Sequence, residues 1–402
     1  MSLPGEVDVV IVGAGPAGLA AATVLAPAAR VLVLDREPAA GGIPRHCGHY
    51  PFGLREFRRL MKGPDYARAL VARAEAAGVQ IATGVSVAKL HEGPRLTVTS
   101  DSGLGEINAR LVLIATGVRE TSRAQRLIGG EKPGGVLATG ALQGLVYLDG
   151  KRPFRNPVIL GTELVSFSAI MTCLHAGIRP AAMIEPNPRV TARWPSQLYP
   201  RLKRIPLHLS TRIARIEGSE RVERVVLDGP DGESVLKTDG VIVSGCFRPE
   251  ATLLDGSHID RDPATGGPAI DSFGRCSDPG YFAAGNALRP VETAGWSWAE
   301  GVAVGKAMCA ALDGKLPQRD THRVTVSGDA VKWVIPQTVG RHEGTAFDRL
   351  QLRVDRPVSG RLSLRVDGSE YASRRIDSRP ERRITLPMPP ARGRVEIVLE
   401  DE

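Results

Sequence analysis

These 402 residues predict an α/β chain that ends in an all-β module, and three observations carry that expectation. Val9-Val10-Ile11-Val12 is an apolar run that enters a glycine turn, Gly13-Ala14-Gly15-Pro16-Ala17-Gly18, and then a helical pattern from Leu19. Pro157-Val158-Ile159-Leu160-Gly161 opens a second unit of the same shape, a repeat of fold without a repeat of sequence. Past Asp313-Gly314-Lys315-Leu316-Pro317 the rhythm changes to short alternating runs broken by Pro, Gly and Asp. Apolar strands followed by helices suit a parallel sheet covered on both faces, whereas short alternating runs suit antiparallel sheets.

The first unit carries chemistry in its spacing. Gly13 permits a tight turn, Gly15 lets the backbone approach a pyrophosphate, and Gly18 lets the helix pack close to the sheet. The helix N-terminus that follows offers free N–H groups and a positive dipole end to the same phosphates. A second strand, Val31-Leu32-Val33-Leu34, ends in Asp35, a carboxylate placed to accept hydrogen bonds from a ribose. Strand, turn, helix and acid together predict a dinucleotide site.

The remaining elements follow in order. Residues 41–53 are a loop too rich in Gly and Pro for a regular element, and a helix is expected over 65–77, with Pro64 near its start and Gly78 as its stop. Residues 80–90 and 95–99 alternate as strands, and Leu111-Val112-Leu113-Ile114 runs into the small turn Ala115-Thr116-Gly117. In the second unit a helix continues through His175, and residues 181–184 form a strand ending in Glu185. Further strands are expected at 205–209, 212–217, 222–227 and 240–244, and another at 280–284 before Gly285-Asn286. Ser297-Trp298-Ala299-Glu300 has the form of a capping box, so a helix is expected from about 295 to 312. The tail should contribute strands at 349–354, 361–366, 383–386 and 394–399.

Composition excludes several classes. The +8 charge comes from arginines scattered over all segments, and aromatics are only 4%, so no basic stripe with stacking residues exists for nucleic acid. The five cysteines are odd in number and widely spaced, which suits a reducing compartment and not a disulfide framework. No CxxC or His/Cys cluster has metal-ligand spacing, so no metal is expected. Residues 7–26 are apolar enough to resemble a membrane span, but the Gly-Ala-Gly-Pro centre would break it and no basic segment precedes it. The expectation is a cytoplasmic protein without a membrane span.

Taken in order, the Gly13 turn, the Ala115-Thr116-Gly117 turn and Gly285-Asn286, with the second unit between them, resemble the two-dinucleotide-domain flavoproteins. That superfamily contains thioredoxin reductase and the pyridine nucleotide-disulfide oxidoreductases. The resemblance implies two Rossmann-like domains, FAD in the first and NAD(P) in the second, with the late strand returning to the first. It divides the chain into an FAD-binding domain at 1–125 and 270–316, an NAD(P)-binding-like domain at 126–269, and a C-terminal β domain at 321–402. The cofactor residues it implies are Gly13, Gly15, Pro16, Ala17, Gly18, Asp35, Arg36, Gly42 and Val85. To these it adds Ala115, Thr116, Gly117, Gly285, Asn286, Gly295 and Trp296.

Gly42-Ile43-Pro44-x-x-Cys47-x-His49, Gly117-Val118-Arg119-Glu120 and Pro263-Ala264-Thr265-Gly266-Gly267-Pro268 narrow the likeness, as does Val334-Ile335-Pro336-Gln337. They are similar to flavoproteins encoded beside glycerol-3-phosphate dehydrogenase-like proteins, and more distantly to the FAD subunits of opine, hydroxyproline and sarcosine dehydrogenases. That branch implies a small-molecule substrate, a partner dehydrogenase or electron-transfer subunit, and an oligomer.

Departures from the superfamily matter equally. Disulfide reductases need a thiolate and a resolving partner, yet Cys47 stands alone and Leu137-Ala138-Thr139-Gly140 occupies the region of a second-domain pair. The second turn, Gly161-Thr162-Glu163-Leu164-Val165-Ser166, puts Glu163 and Ser166 where the second and third glycines belong, which weakens NAD(P) binding by bulk and by charge. His46 and His49 are the candidate proton carriers, since imidazole titrates near neutrality. Cys47 joins them as a catalytic candidate, against a reading as a small packing residue. Arg45 and Arg119 could meet an anionic substrate, and Trp296 and Trp298 either wall the flavin or pack an interface. The helix near Gly295 would aim its positive end at the flavin N1–O2 edge. Three readings stay open: a flavin dehydrogenase or dehydrogenase subunit without a redox disulfide, an NAD(P)H-dependent flavin reductase, and a non-catalytic flavin-binding interaction protein.

Overall fold

The computed structural model describes residues 3–320, 322–340, 343–389 and 393–401. The apolar run at the start is β1 (Glu6–Val12), followed by α1 (Pro16–Leu25) and β2 (Val31–Asp35). The loop that follows contains a 3-10 turn over Ile43–His46 and the single turn α2 (Leu54–Phe57). Then come α3 (Gly63–Ala76), β3 (Gln80–Thr83), β4 (Ser86–His91), β5 (Arg95–Ser100) and β6 (Gly103–Ile114). β1 lies parallel between β2 and β6, with Val10 opposite Leu32 on one side and Val112 on the other. All these residues are fully buried, as strands covered on both faces must be. The expected strand over 80–90 is two strands: Gly84, at φ +68°, breaks it, so that β3 runs parallel to β2 while β4 turns to pair antiparallel with β5.

The crossing segments β7 (Val118–Arg119) and β8 (Gly129–Gly130) lead to β9 (Val136–Ala138) and α4 (Thr139–Tyr147). β10 (Val158–Leu160), α5 (Leu164–His175) and β11 (Ala182–Ile184) form the second β-α-β unit. After the short α6 (Leu198–Leu202) comes β12 (Leu207–His208), and then the antiparallel β13 (Arg212–Glu217), β14 (Arg224–Gly229) and β15 (Gly232–Lys237). β16 (Val241–Val243) completes a parallel sheet of order β12-β11-β10-β16-β9. β17 (Arg248–Pro249) returns antiparallel to β7. β18 (Tyr281–Ala283) then joins the first sheet beside β6, and α7 (Ala294–Leu312) packs on α1. A side chain at Gly301 would strike the Ala17 carbonyl, so glycine is what lets these two helices approach.

The helix boundary corrects the capping-box expectation. Thr293 stands at the N-cap, Ser297 lies inside the first turns, and Glu300 reaches Arg289 instead of back to the helix start. The tail is also richer than four runs. It holds β19 (His322–Ser327), β20 (Val331–Ile335), β21 (Thr338–Val339), β22 (Arg349–Val354) and β23 (Val358–Val366), then β24 (Ser369–Ser378), β25 (Ile384–Pro387) and β26 (Val395–Asp401). They form two sheets, β21-β19-β26-β23-β24 and β20-β22-β25, around Leu350, Leu352, Leu362, Leu364 and Ile397. β24 escapes a reading by pattern because its residues are mostly exposed and carry no apolar alternation.

The tail is not a loose appendage. Trp333, Ile335 and Phe347 belong to the core of the first lobe, the one built on the β1 sheet, the second lobe being built on the β10 sheet. Arg289, wholly buried, donates to Glu300 of α7 and to Gln351 of β22.

Candidate active site

At the first turn, Gly13 takes φ +110° and donates its N–H to the Leu34 carbonyl at 2.8 Å. A side chain on Gly18 would collide with the Gly13 carbonyl oxygen, so its glycine serves packing. Gly15 differs: a Cβ there would meet nothing within 4 Å. The protein's own atoms do not require that glycine, and the space above it is what a pyrophosphate would occupy at the start of α1. Pro16 fills the first helical position, where no N–H is needed, and no acid in the first turn opposes an anion.

Asp35 holds the turn. Its carboxylate accepts the Ala14 N–H at 2.8 Å and the Glu37 N–H at 2.9 Å. Gly41 donates to the Ala14 carbonyl at 2.9 Å, and a Cβ on Gly42 would come within 2.8 Å of the Gly15 Cα, so the 41–47 loop starts against the open turn. Val85 is buried beside the end of β2, with its N–H on the Asp35 carbonyl at 3.0 Å. Arg36 lies 3.6 Å from Glu250. On the far side, Ala115 donates to Val12, the Thr116 hydroxyl donates to the Glu250 carbonyl at 2.7 Å, and Gly117 accepts the Glu250 N–H at 2.9 Å. Gly285 sits against Ala17, where an added Cβ would be 2.7 Å from the Ala17 Cβ. Next to it the buried Ser297 hydroxyl of α7 has no hydrogen-bond partner among the described residues. An open glycine cradle and an orphaned hydroxyl beside Gly285, which packs on Ala17, fit a bound dinucleotide.

Two implied residues have partners within the chain. Asn286 donates to the Glu292 carbonyl at 3.0 Å and accepts the Glu292 N–H at 2.7 Å, closing a loop on itself. Trp296, beside Gly295, is stacked between Arg55 and Arg383, each 4.0 Å from a ring centre, and so joins the tail to α2. Trp298 packs on the first lobe's core.

The three catalytic candidates separate. His49 turns its Nδ1 to the Tyr50 carbonyl, 2.9 Å away, and its ring to Phe52, as a loop residue would. His46 lies beside Gln143 of α4, and burial, with Arg45 adding to it, lowers its pKa. Its buried Nδ1 has no partner among the described residues. Cys47 points its thiol at the Ile43 carbonyl (3.4 Å) and at Gln143 Oε1 (3.7 Å), and burial pushes it up to about 12. A thiol held protonated by burial suits the reading of Cys47 as a packing residue. Arg45 pairs with Glu37 at 3.3 Å, and Arg119 grips Glu250, so neither greets an anion freely.

Sequence reasoning missed Glu120 and Gln143. Glu120 accepts the Gly140 and Gly245 N–H groups, both at 2.8 Å, and burial raises its pKa against those bonds. A Cβ on Gly140 would lie 3.8 Å from Glu120 and 3.9 Å from His46, so the two groups flank one point on α4. Glu120 was visible only as the end of Gly117-Val118-Arg119-Glu120; its partners come from distant strands.

The second turn is filled by its own side chains. The Glu163 carboxylate accepts the Cys246 N–H at 2.7 Å and lies against Gly245, where a Cβ would be 2.6 Å from its carboxyl carbon. The Ser166 and Thr139 hydroxyls both donate to Ser244 Oγ at 2.9 Å. Glu185, the ribose-type acid, takes the Thr162 hydroxyl on one oxygen and the Asn187 backbone and side-chain amides on the other.

Residues 7–301 match the family model described as pyridine nucleotide-disulphide oxidoreductase. The chain belongs to that family. Its members are FAD-dependent oxidoreductases, so this is an enzyme of that class. An opine oxidase subunit of Rhizobium meliloti (strain 1021) is 31% identical over 181 residues, 44% of this chain and 38% of that protein. The chain therefore matches less than half of that relative's length. Thioredoxin reductase of Aquifex aeolicus (strain VF5) is 27% identical over 300 residues, covering 72% of this chain and 88% of the relative. The T. acidophilum thioredoxin reductase crystal structure shares the fold, with a TM-score of 0.65 at 22% identity over 77% of this chain and 99% of that one. Among the described residues all five cysteines are free, no group of His, Cys, Asp or Glu could hold a metal, and no helix is long and apolar enough to cross a membrane.

Proposed function

We propose that the chain is an FAD-dependent dehydrogenase, or the flavin subunit of one, moving electrons between a small metabolite and a partner acceptor without a redox disulfide. One contrast carries this reading: the first glycine turn is open at Gly15, while the second is filled by Glu163. FAD supplies hydride acceptance when bound. The chain's part is to hold and orient it. The Gly13–Gly18 turn with Pro16 and Ala17 would take the pyrophosphate, and Asp35, Arg36 and Val85 the adenosine end. Gly42, Ala115, Thr116, Gly117, Gly285 and the Ser297 hydroxyl on the first turns of α7 would take the remainder. His46, half-buried beside Gln143, is our candidate to carry the substrate proton; Cys47 packs that corner. Asn286, Gly295 and Trp296 are assigned to shaping the 285–300 segment.

The division at 125/126 and 269/270, a cytoplasmic location and a partner subunit belong to the same reading, and the opine oxidase likeness supports the last. NADH or NADPH, added anaerobically at micromolar concentration to the flavin-loaded protein, should leave the flavin absorbance unchanged over minutes. Rapid bleaching would overturn the proposal in favour of an NAD(P)H-dependent reductase. Opines, amino acids and glycerol 3-phosphate, screened with a dye acceptor, should include a substrate.

A further inference from the structure

We infer that residues 193–204 form a docking surface for an anionic membrane, on which the second lobe lies without spanning it. Short helical hydrogen bonds run through the stretch, from Ser196 to Arg193, Leu198 to Pro195, Tyr199 to Ser196 and Lys203 to Tyr199. Within α6, Leu198 and Leu202 stand four apart and share a face. The inner face is covered: Pro200 and Ile205 are buried and Tyr199 packs on the second lobe's core. Leu198 and Leu202 are 40% and 77% exposed, and Trp194, just ahead of the helix, is 75% exposed. A solvated coil with a covered inner face has no internal reason to show a tryptophan and two leucines to water.

Their surroundings select the occupant. Arg193, Arg201, Lys203 and Arg204 are exposed and pair with no carboxylate among the described residues. The sequence holds no Asp or Glu between Glu185 and Glu217, and Arg189 at the near end is tied to Glu381 of the tail. Unpaired cations next to exposed Trp and Leu have the charge and chemistry of a segment lying in a lipid interface, with indole and leucines at the acyl boundary and basic groups on the phosphates. A membrane rich in anionic lipid satisfies both halves of that pattern.

The test is sedimentation of the full chain with vesicles of phosphatidylcholine alone or with about a third phosphatidylglycerol. The chain should sediment with the anionic vesicles only and be released by about 0.5 M salt, where screening removes the charge attraction. Trp194→Ser, Leu198→Ser and Leu202→Ser together should weaken binding by about tenfold or more, as should Arg201→Gln, Lys203→Gln and Arg204→Gln, with melting curves matching the parent. No binding to anionic vesicles overturns the inference, as does unchanged binding of both variants. So does concentration-dependent dimerisation without lipid that the serine variant abolishes, which would make the face a contact between two copies.

Discussion

Gly15 and Gly18 stand three positions apart and are glycine for different reasons. Gly18 is required by the Gly13 carbonyl, whereas Gly15 faces open space in an extended conformation that any residue adopts. Gly15→Ala should therefore fold with a stability within about 1 kcal/mol of the parent yet bind FAD at least about tenfold more weakly, measured by flavin retention on gel filtration and by titration. Gly18→Ala should instead lower the melting temperature. The His46 prediction turns on sign. Burial lowers its pKa, so the neutral base persists to more acid pH, and the acid limb of kcat/KM should fall below the ordinary imidazole value of ~6.5. His46→Gln should remove that limb and reduce the rate by roughly 10²–10⁴. In stability the unfolded chain takes up the His46 proton first, so folding loses free energy as pH drops below ~6.5. Urea unfolding at pH 5 and pH 7 should show that loss in the parent and less of it in the variant.

Among the elements, α7 owes its position to a buried charge and not to the capping box its sequence suggests. Arg289 is entirely enclosed, held by Glu300 at 2.8 Å and by Gln351 at 2.9 Å. Removing one partner leaves the other ion uncompensated, so Glu300→Ala should cost about 3–5 kcal/mol, read from urea unfolding, while Arg289→Met with Glu300→Leu should cost far less. The same logic of long-range partners governs the second β-α-β unit. Its strands and helix were legible in alternation and apolar runs, and Glu163 and Ser166 were legible as departures from the glycine pattern. That Glu163 would fill the crevice by reaching Cys246 was not legible, because a carboxylate beside a glycine turn reads equally well as a surface charge until β16 brings residues 244–246 against it.

Across the molecule, the tail completes the first lobe. Trp333, Ile335 and Phe347 enter its core, and Arg383 and Arg353 reach Glu292 in the 285–300 segment. A chain ending at residue 316 should thus expose Arg289 and Glu300, lose several degrees or more of melting temperature, and release flavin; an unchanged melting curve and unchanged flavin content would make the tail an accessory. What the sequence alone determined is the local order: which runs are buried strands, where the first glycine turn lies, that no two cysteines stand in CxxC or CxxxxC spacing, and that the tail is β. Those features are written in spacing between neighbours, since strand and helix periods and turn chemistry act over a few residues. The tertiary structure alone decided which of two similar turns stays open, that Glu120 and His46 flank one point, and that Arg289 is sealed under β22. Each depends on groups that the fold brings together from distant parts of the chain, and a contact of that kind has no signature until the backbone has returned to make it.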